Sequence, residues 1–153
     1  MTELMALSLT TGVLCGAWAQ FATPLGLLTW AGFAGCTTYF ASGKKGIDGI
    51  TTTIRQNLFG VLCGMSIWTL SNNFSFTGNL IVFSGIVTFV MCIAGKNKYL
   101  AFIPGTFVGA FSTFAANGEW FPLVLSLLAG SILAYLCDIS GRGLFLISTK
   151  LKK

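Results

Sequence analysis

Few side chains in this sequence carry groups that could do chemistry, and their types narrow what that chemistry could be. There is no histidine, and no serine, threonine or cysteine has a base beside it to activate it as a nucleophile. Paired carboxylates, metal-ligand clusters and phosphate-binding loops are missing too, so neither an enzyme nor a bound cofactor or metal is expected. Asp138 stands out, near the end of the last apolar run and within reach of Arg55 or Arg142. Its place suits a structural ion pair or an interfacial charge, and a proton relay is the functional alternative. The five cysteines (Cys15, Cys36, Cys63, Cys92 and Cys137) fall inside apolar runs. Odd in number and without ligand spacing, they read as small hydrophobes rather than disulfide partners or zinc ligands. What remains is a set of hydroxyls, Thr37, Thr38, Thr106, Ser112 and Thr113, interleaved with phenyl rings. Such groups can hydrogen-bond a small neutral solute, but they cannot transform it.

Composition dictates the elements that must position these groups. Apolar residues make up 54% of the chain, charged residues 8%, and the mean hydropathy is +0.82. A soluble domain carries about a quarter charged residues, so this chain is expected to be an integral membrane protein whose first partner is the lipid bilayer. Met1-Thr2-Glu3 offers no positive n-region, so the first apolar run reads as a span rather than a secretory signal. It extends from about Leu4 to Phe21 and stops at Thr23-Pro24. Further runs follow from Leu25 to Ser42, Ile54 to Ser71, Leu80 to Ala94, Leu100 to Ala116 and Phe121 to Asp138. Each approaches the length that crosses about 30 Å of hydrocarbon, several on the short side. Runs this continuous exclude alternating barrel strands, which leaves helices.

The net charge of +5 then becomes a topology signal, since nucleic-acid binding would need a dense basic face. Lys44, Lys45 and Arg55 surround the second connection, Lys96 and Lys98 the fourth, and Arg142, Lys150, Lys152 and Lys153 the tail. With both termini cytoplasmic, every basic residue lies inside, while the outer loops hold Glu119 and polar residues such as Asn72, Asn73 and Asn79. Trp18, Trp30, Trp68 and Trp120 then fall toward the outer interface, and Tyr39, Tyr99 and Tyr135 toward the inner one.

A repeat organises the whole. Phe33-Ala34-Gly35-Cys36-Thr37-Thr38-Tyr39-Phe40-Ala41 returns in degraded form as Phe107-Val108-Gly109-Ala110-Phe111-Ser112-Thr113-Phe114-Ala115. At helical spacing, Ala31, Gly35, Thr38 and Ser42 share one face, matched by Gly105, Gly109, Ser112 and Ala116. Phe33, Thr37 and Phe40, and equally Phe107, Phe111 and Phe114, lie opposite. The motif falls on the second and fifth runs, so the repeated unit is three spans long and its second copy must point the other way. The loop after Gly43 is basic and the one after Gly118 acidic, as an inversion requires. The expected fold is therefore an all-α membrane protein of six transmembrane helices arranged as two inverted three-helix repeats, about 4–72 and 79–139, with a basic tail over 140–153. That tail would continue the sixth helix, lie on the inner leaflet or fray. Membrane helices associate through small residues, and Gly12, Gly16, Gly35, Gly60, Gly64, Gly105 and Gly109 are the expected packing positions, within one chain or between copies of a homo-oligomer.

The stretch Leu25-Gly26-Leu27-Leu28-Thr29-Trp30-Ala31-Gly32-Phe33 with Cys36 and Phe40 resembles the YcdZ-like inner-membrane proteins, grouped as domain of unknown function 1097. So does Pro104-Gly105-Thr106-Phe107 with Gly109, Thr113-Phe114-Ala115 and Trp120. The resemblance spans most of the chain and implies a small, multi-pass protein of the bacterial inner membrane. It assigns no catalytic residues.

Function then depends on what lines the bundle. Phe33, Thr37, Phe40, Phe107, Phe111 and Phe114 are the expected pore-lining residues, unless these rings face lipid. A path so lined would be narrow and uncharged, and would pass a small neutral solute selected by diameter and a few hydrogen bonds. The alternatives are a non-transporting interaction or assembly subunit and a coupled secondary transporter.

Overall fold

The computed structural model describes residues 1–151, so Lys152 and Lys153 of the basic tail lie outside the described residues. Among those described, the chain forms six α-helices and one short 3-10 turn, with no strand. The helices are α1 (Glu3–Phe21), α2 (Thr29–Ala41), α3 (Gly46–Asn73), α4 (Asn79–Ala94), α5 (Ile103–Ala115) and α6 (Trp120–Lys150). By length and composition, α1 and α6 are able to cross a membrane, while α4 and α5 are apolar but shorter.

Local chemistry explains where the helices depart from the apolar runs. The second run begins at Leu25, but α2 starts only at Thr29. Thr23-Pro24-Leu25 forms the 3-10 turn, and Gly26 follows at φ 72°, a left-handed conformation that a side chain would strain. Both α2 and α5 have 13 residues, about 20 Å of helix, which is shorter than a full hydrocarbon core. By contrast, α3 begins at Gly46, well before the expected start near Ile54, and runs for 28 residues. Polar residues at its start hide that helix from hydropathy. α6 continues through most of the expected tail to Lys150, which decides among the three readings of that segment.

Packing follows the small-residue stripes. α2 lies on α6 and α5 on α3, α3 and α6 meet each other, and α1 and α4 form an outer layer against α6 and α3. On α3 the buried positions include Thr53, Gln56, Asn57, Gly60, Val61, Gly64 and Ile67. On α6 they include Leu123, Ser126, Leu127, Gly130, Ser131, Ala134 and Cys137, the same spacing. Glycines sit where backbones touch. A Cβ on Gly35 would meet the Leu127 carbonyl and the Ser131 amide of α6, and one on Gly109 would meet the Asn57 carbonyl and the Val61 amide of α3. Likewise Gly60 faces the Thr106 carbonyl, and Gly130 faces the Gly32 carbonyl. Gly64 abuts Thr113 and the Ala110 carbonyl, and Gly105 abuts Gln56 and Thr38.

Gly12 and Gly16 are not packing positions within this chain, which leaves contact between copies as the part of that expectation still open to them. Nothing lies within 4 Å of a Cβ built on either, because both fall on the open face of α1. Only Ala6 is buried along that helix, so its glycines point away from the rest of the chain.

Candidate functional site

Two polar constructions occupy the interior. The first joins α2, α3 and α5 around two amide side chains. Gln56 and Asn57 are each 1% exposed, adjacent residues on the buried stripe of α3. Thr38 of α2 donates its hydroxyl to the Asn57 Oδ1 at 3.0 Å, and Thr106 of α5 donates to the Gln56 Oε1 at 2.6 Å. The Gln56 amide nitrogen donates to the Tyr99 carbonyl at 3.2 Å, tying the chain just before α5 to α3. A related tie exists on the other side, where the Leu28 amide donates to the Ser126 hydroxyl at 2.8 Å just before α2. Among the described residues, five buried side-chain polar atoms make no hydrogen bond: the Thr11, Ser71 and Ser112 hydroxyls, the Arg142 Nε and, in this cluster, the Asn57 Nδ2. Buried polar groups are ordinarily paired, so the Asn57 Nδ2 and the Ser112 hydroxyl are exceptions on facing helices α3 and α5.

The second construction surrounds Asp138, which is 5% exposed. Its Oδ2 accepts from the Tyr39 hydroxyl at 2.7 Å and from the Gly46 amide at 3.1 Å, and pairs with the Arg142 guanidinium one turn along α6. Gly46 is the first residue of α3, so a carboxylate from α6 caps that N-terminus where no local side chain does. Of the two arginines in reach of Asp138 by sequence, Arg142 is its partner, and Arg55 stacks on Tyr99 instead. A cavity of about 90 Å³ opens beside this cluster, walled by Tyr39, Phe40, Lys44 and Arg142.

The residues expected to line a path are placed differently. Phe33, Thr37, Phe40, Phe107, Phe111 and Phe114 all face outward from the six-helix body. The reason is steric: backbone contact claims the glycine face of α2 and α5 for the interior, and the opposite face is turned out with its rings. A passage lined by these six would have to run between copies of the chain, not through one. Among the hydroxyls, Thr38, Thr106, Ser112 and Thr113 are buried, while Thr37 is exposed.

Sequence reasoning missed Gln56 and Asn57, the centre of the first construction. The signal was present. Thr52, Thr53, Gln56, Asn57, Gly60 and Gly64 repeat at three- and four-residue steps, the period of one helical face. Starting the third run at Ile54, beside Arg55, left the amides at its edge.

An all-helical body with an apolar outer surface and an interior of amides, hydroxyls and one paired carboxylate defines an integral membrane protein. The family described as "Protein of unknown function (DUF1097)" matches residues 8–142, and the chain belongs to this family. It is 42% identical to the inner membrane protein YcdZ of Escherichia coli strain K12, over 98% of this chain and 93% of that one. The protein of the same name from Salmonella typhimurium strain LT2 is 40% identical over 92% of this chain and 89% of its own length. The uncharacterized protein YahC of E. coli K12 is 28% identical over 98% of both chains. No solved structure matches.

Proposed function

We propose that this protein is a passive facilitator for a small neutral solute across the bacterial inner membrane. In this reading, six membrane-crossing helices form two inverted three-helix repeats, with both termini cytoplasmic. The glycine contacts support the repeat. Exchanging α1, α2 and α3 for α4, α5 and α6 turns the Gly35 contact on Leu127 and Ser131 into the Gly109 contact on Asn57 and Val61. The same exchange turns the Gly60 contact on Thr106 into the Gly130 contact on Gly32. Inverted repeats bring their solute path to the repeat interface near the bilayer midplane, and the Asn57 cluster lies where α2, α3 and α5 meet.

One observation carries the functional reading: the Asn57 Nδ2 and Ser112 hydroxyl are buried without partners. Leaving an amide or hydroxyl unpaired in an apolar setting costs roughly 1–3 kcal/mol, a deficit that a passing amide, urea-like or alcohol solute would relieve. Asp138 is held as the partner of Tyr39, Gly46 and Arg142 through its Oδ2, a structural role that argues against a proton-coupled cycle. A second reading is a non-transporting assembly subunit, with the outward phenylalanines of α2 and α5 and the open Gly12–Gly16 face as contact surfaces, including contacts between copies in a homo-oligomer.

Flux into proteoliposomes separates the two. Asn57→Leu is expected to slow uptake of urea or formamide about tenfold, the effect of losing one buried hydrogen-bonding group worth roughly 1–3 kcal/mol. Phe114→Ala should leave uptake within about twofold of the parent, since its ring faces outward. The opposite pattern, Phe114→Ala changing flux and Asn57→Leu not, would move the path to an interface between copies. Protein without flux above bare liposomes supports the assembly reading.

A further inference from the structure

A second cleft, of about 630 Å³, lies on the outer surface of α3 beside the α4–α5 connection. Leu58, Phe59, Leu62 and Leu100 form its apolar wall, and Arg55, Asn97 and Tyr99 its polar end. The polar end has an unusual charge arrangement. The Arg55 guanidinium sits 5.0 Å from the centre of the Tyr99 ring, and the Lys98 ammonium 4.9 Å from the same centre. Each cation is attracted to the ring, but gathering two of them at one aromatic is electrostatically unfavourable without an anion. Among the described residues, the acids in ion pairs are Glu3 with Lys45 and Asp138 with Arg142, so no carboxylate serves Arg55 or Lys98.

The backbone at Tyr99 is tied down on both sides. Its amide donates to the Asn97 side chain at 2.9 Å, and its carbonyl accepts from the buried Gln56. Arg55 stands nine residues into α3, about 14 Å along its axis, level with the connection that carries Lys96 and Lys98. The basic groups thus share one level of the bundle, and the leucines extend from it along α3 in the direction of the hydrocarbon. A phosphate with an acyl chain attached has this same division of charged head and apolar body.

We propose that this cleft binds an anionic phospholipid, its phosphate at Arg55 and Lys98 and an acyl chain along Leu58, Leu62 and Leu100. Basic residues near an anionic leaflet each contribute about fivefold to lipid affinity. A free phosphate ion would use the cations alone and gain nothing from the leucine wall, whereas the lipid uses both. The site adjoins the Asn57 cluster through the Gln56–Tyr99 hydrogen bond, but lipid binding there does not depend on solute conduction.

The test is binding to the purified full-length chain in neutral detergent, read by native mass spectrometry and by thermal unfolding. Three probes are used: short-chain phosphatidylglycerol, phosphatidylcholine of the same chain length, and inorganic phosphate. Phosphatidylglycerol is expected to bind about tenfold or more tighter than phosphatidylcholine, and inorganic phosphate should neither displace it at equal concentration nor raise the unfolding temperature. Arg55→Gln with Lys98→Gln should weaken phosphatidylglycerol about thirtyfold and phosphatidylcholine far less, because its choline cation already offsets the phosphate that both lipids carry. Lys98→Gln alone, on an exposed connection, should still lose about fivefold. Equal affinity for the two lipids, or a preference surviving in both variants, would overturn the proposal. Displacement by equimolar inorganic phosphate would make this a free-anion site and overturn the lipid assignment.

Discussion

Replacing Gly109 by leucine is expected to cost about 3 kcal/mol or more, the upper range for forcing volume into a packed interior. The new side chain would meet the Asn57 carbonyl and the Val61 amide, and these are backbone atoms of α3 that no rotamer change can move aside. Two helices would have to separate, which also pulls Thr106 from Gln56 and removes one of the few polar ties in the core. Gly12→Leu provides the contrast, because that position opens onto empty space and should change stability by less than about 0.5 kcal/mol. Thermal unfolding in detergent checks both. Gly109→Leu should fall by roughly 6–12 °C while Gly12→Leu stays near the parent. Similar losses in both would mean that the open face of α1 is packed in the working protein.

Asp138→Ala should be the second severe substitution. It removes one oxygen that serves the Tyr39 hydroxyl, the first amide of α3 and the Arg142 guanidinium together. Breaking a buried charge pair by deleting one partner costs roughly 3–5 kcal/mol. The Arg142 side chain is 43% exposed and can turn toward solvent, so the lower end of that range is expected. The double variant Asp138→Ala with Arg142→Ala should recover part of the loss, since it leaves no orphaned guanidinium. Chemical denaturation of the three proteins measures the coupling. Strict additivity of the two single losses would show that the pair is not coupled and that Asp138 acts through the α3 cap alone.

Helical periodicity made the stripes of α2 and α5 legible from sequence, because Gly35, Thr38, Gly109 and Ser112 recur at the spacing of one face. Periodicity says which residues share a face and is silent about what covers it. The pentapeptide Gly-Val-Leu-Cys-Gly makes the point, since it occurs at both Gly12–Gly16 and Gly60–Gly64. The first copy lies open on α1, and the second is pressed against α5. The same ambiguity hid the direction of the phenylalanines, which are opposite the glycines whether they face a pore or lipid. Hydropathy failed in a different way at α3. Its first half carries Asp48, Arg55, Gln56 and Asn57, so an average over the segment starts the helix too late and discards the amides at its centre. Asp138 was visible as an isolated carboxylate, but its role as a cap for α3 depends on a contact across 92 positions of chain, and local pattern does not report such contacts.

The most direct measurement of the facilitator reading is stopped-flow light scattering of proteoliposomes holding the unaltered protein. The vesicles are challenged with neutral solutes of rising size, from formamide through urea to glycerol and a disaccharide. A passive path selected by diameter and a few hydrogen bonds predicts faster entry than bare liposomes for the small amides. It further predicts no gain for the disaccharide, and rates unmoved by a proton or sodium gradient. Rates equal to bare liposomes for every solute, with the protein shown to be folded and inserted, would contradict it.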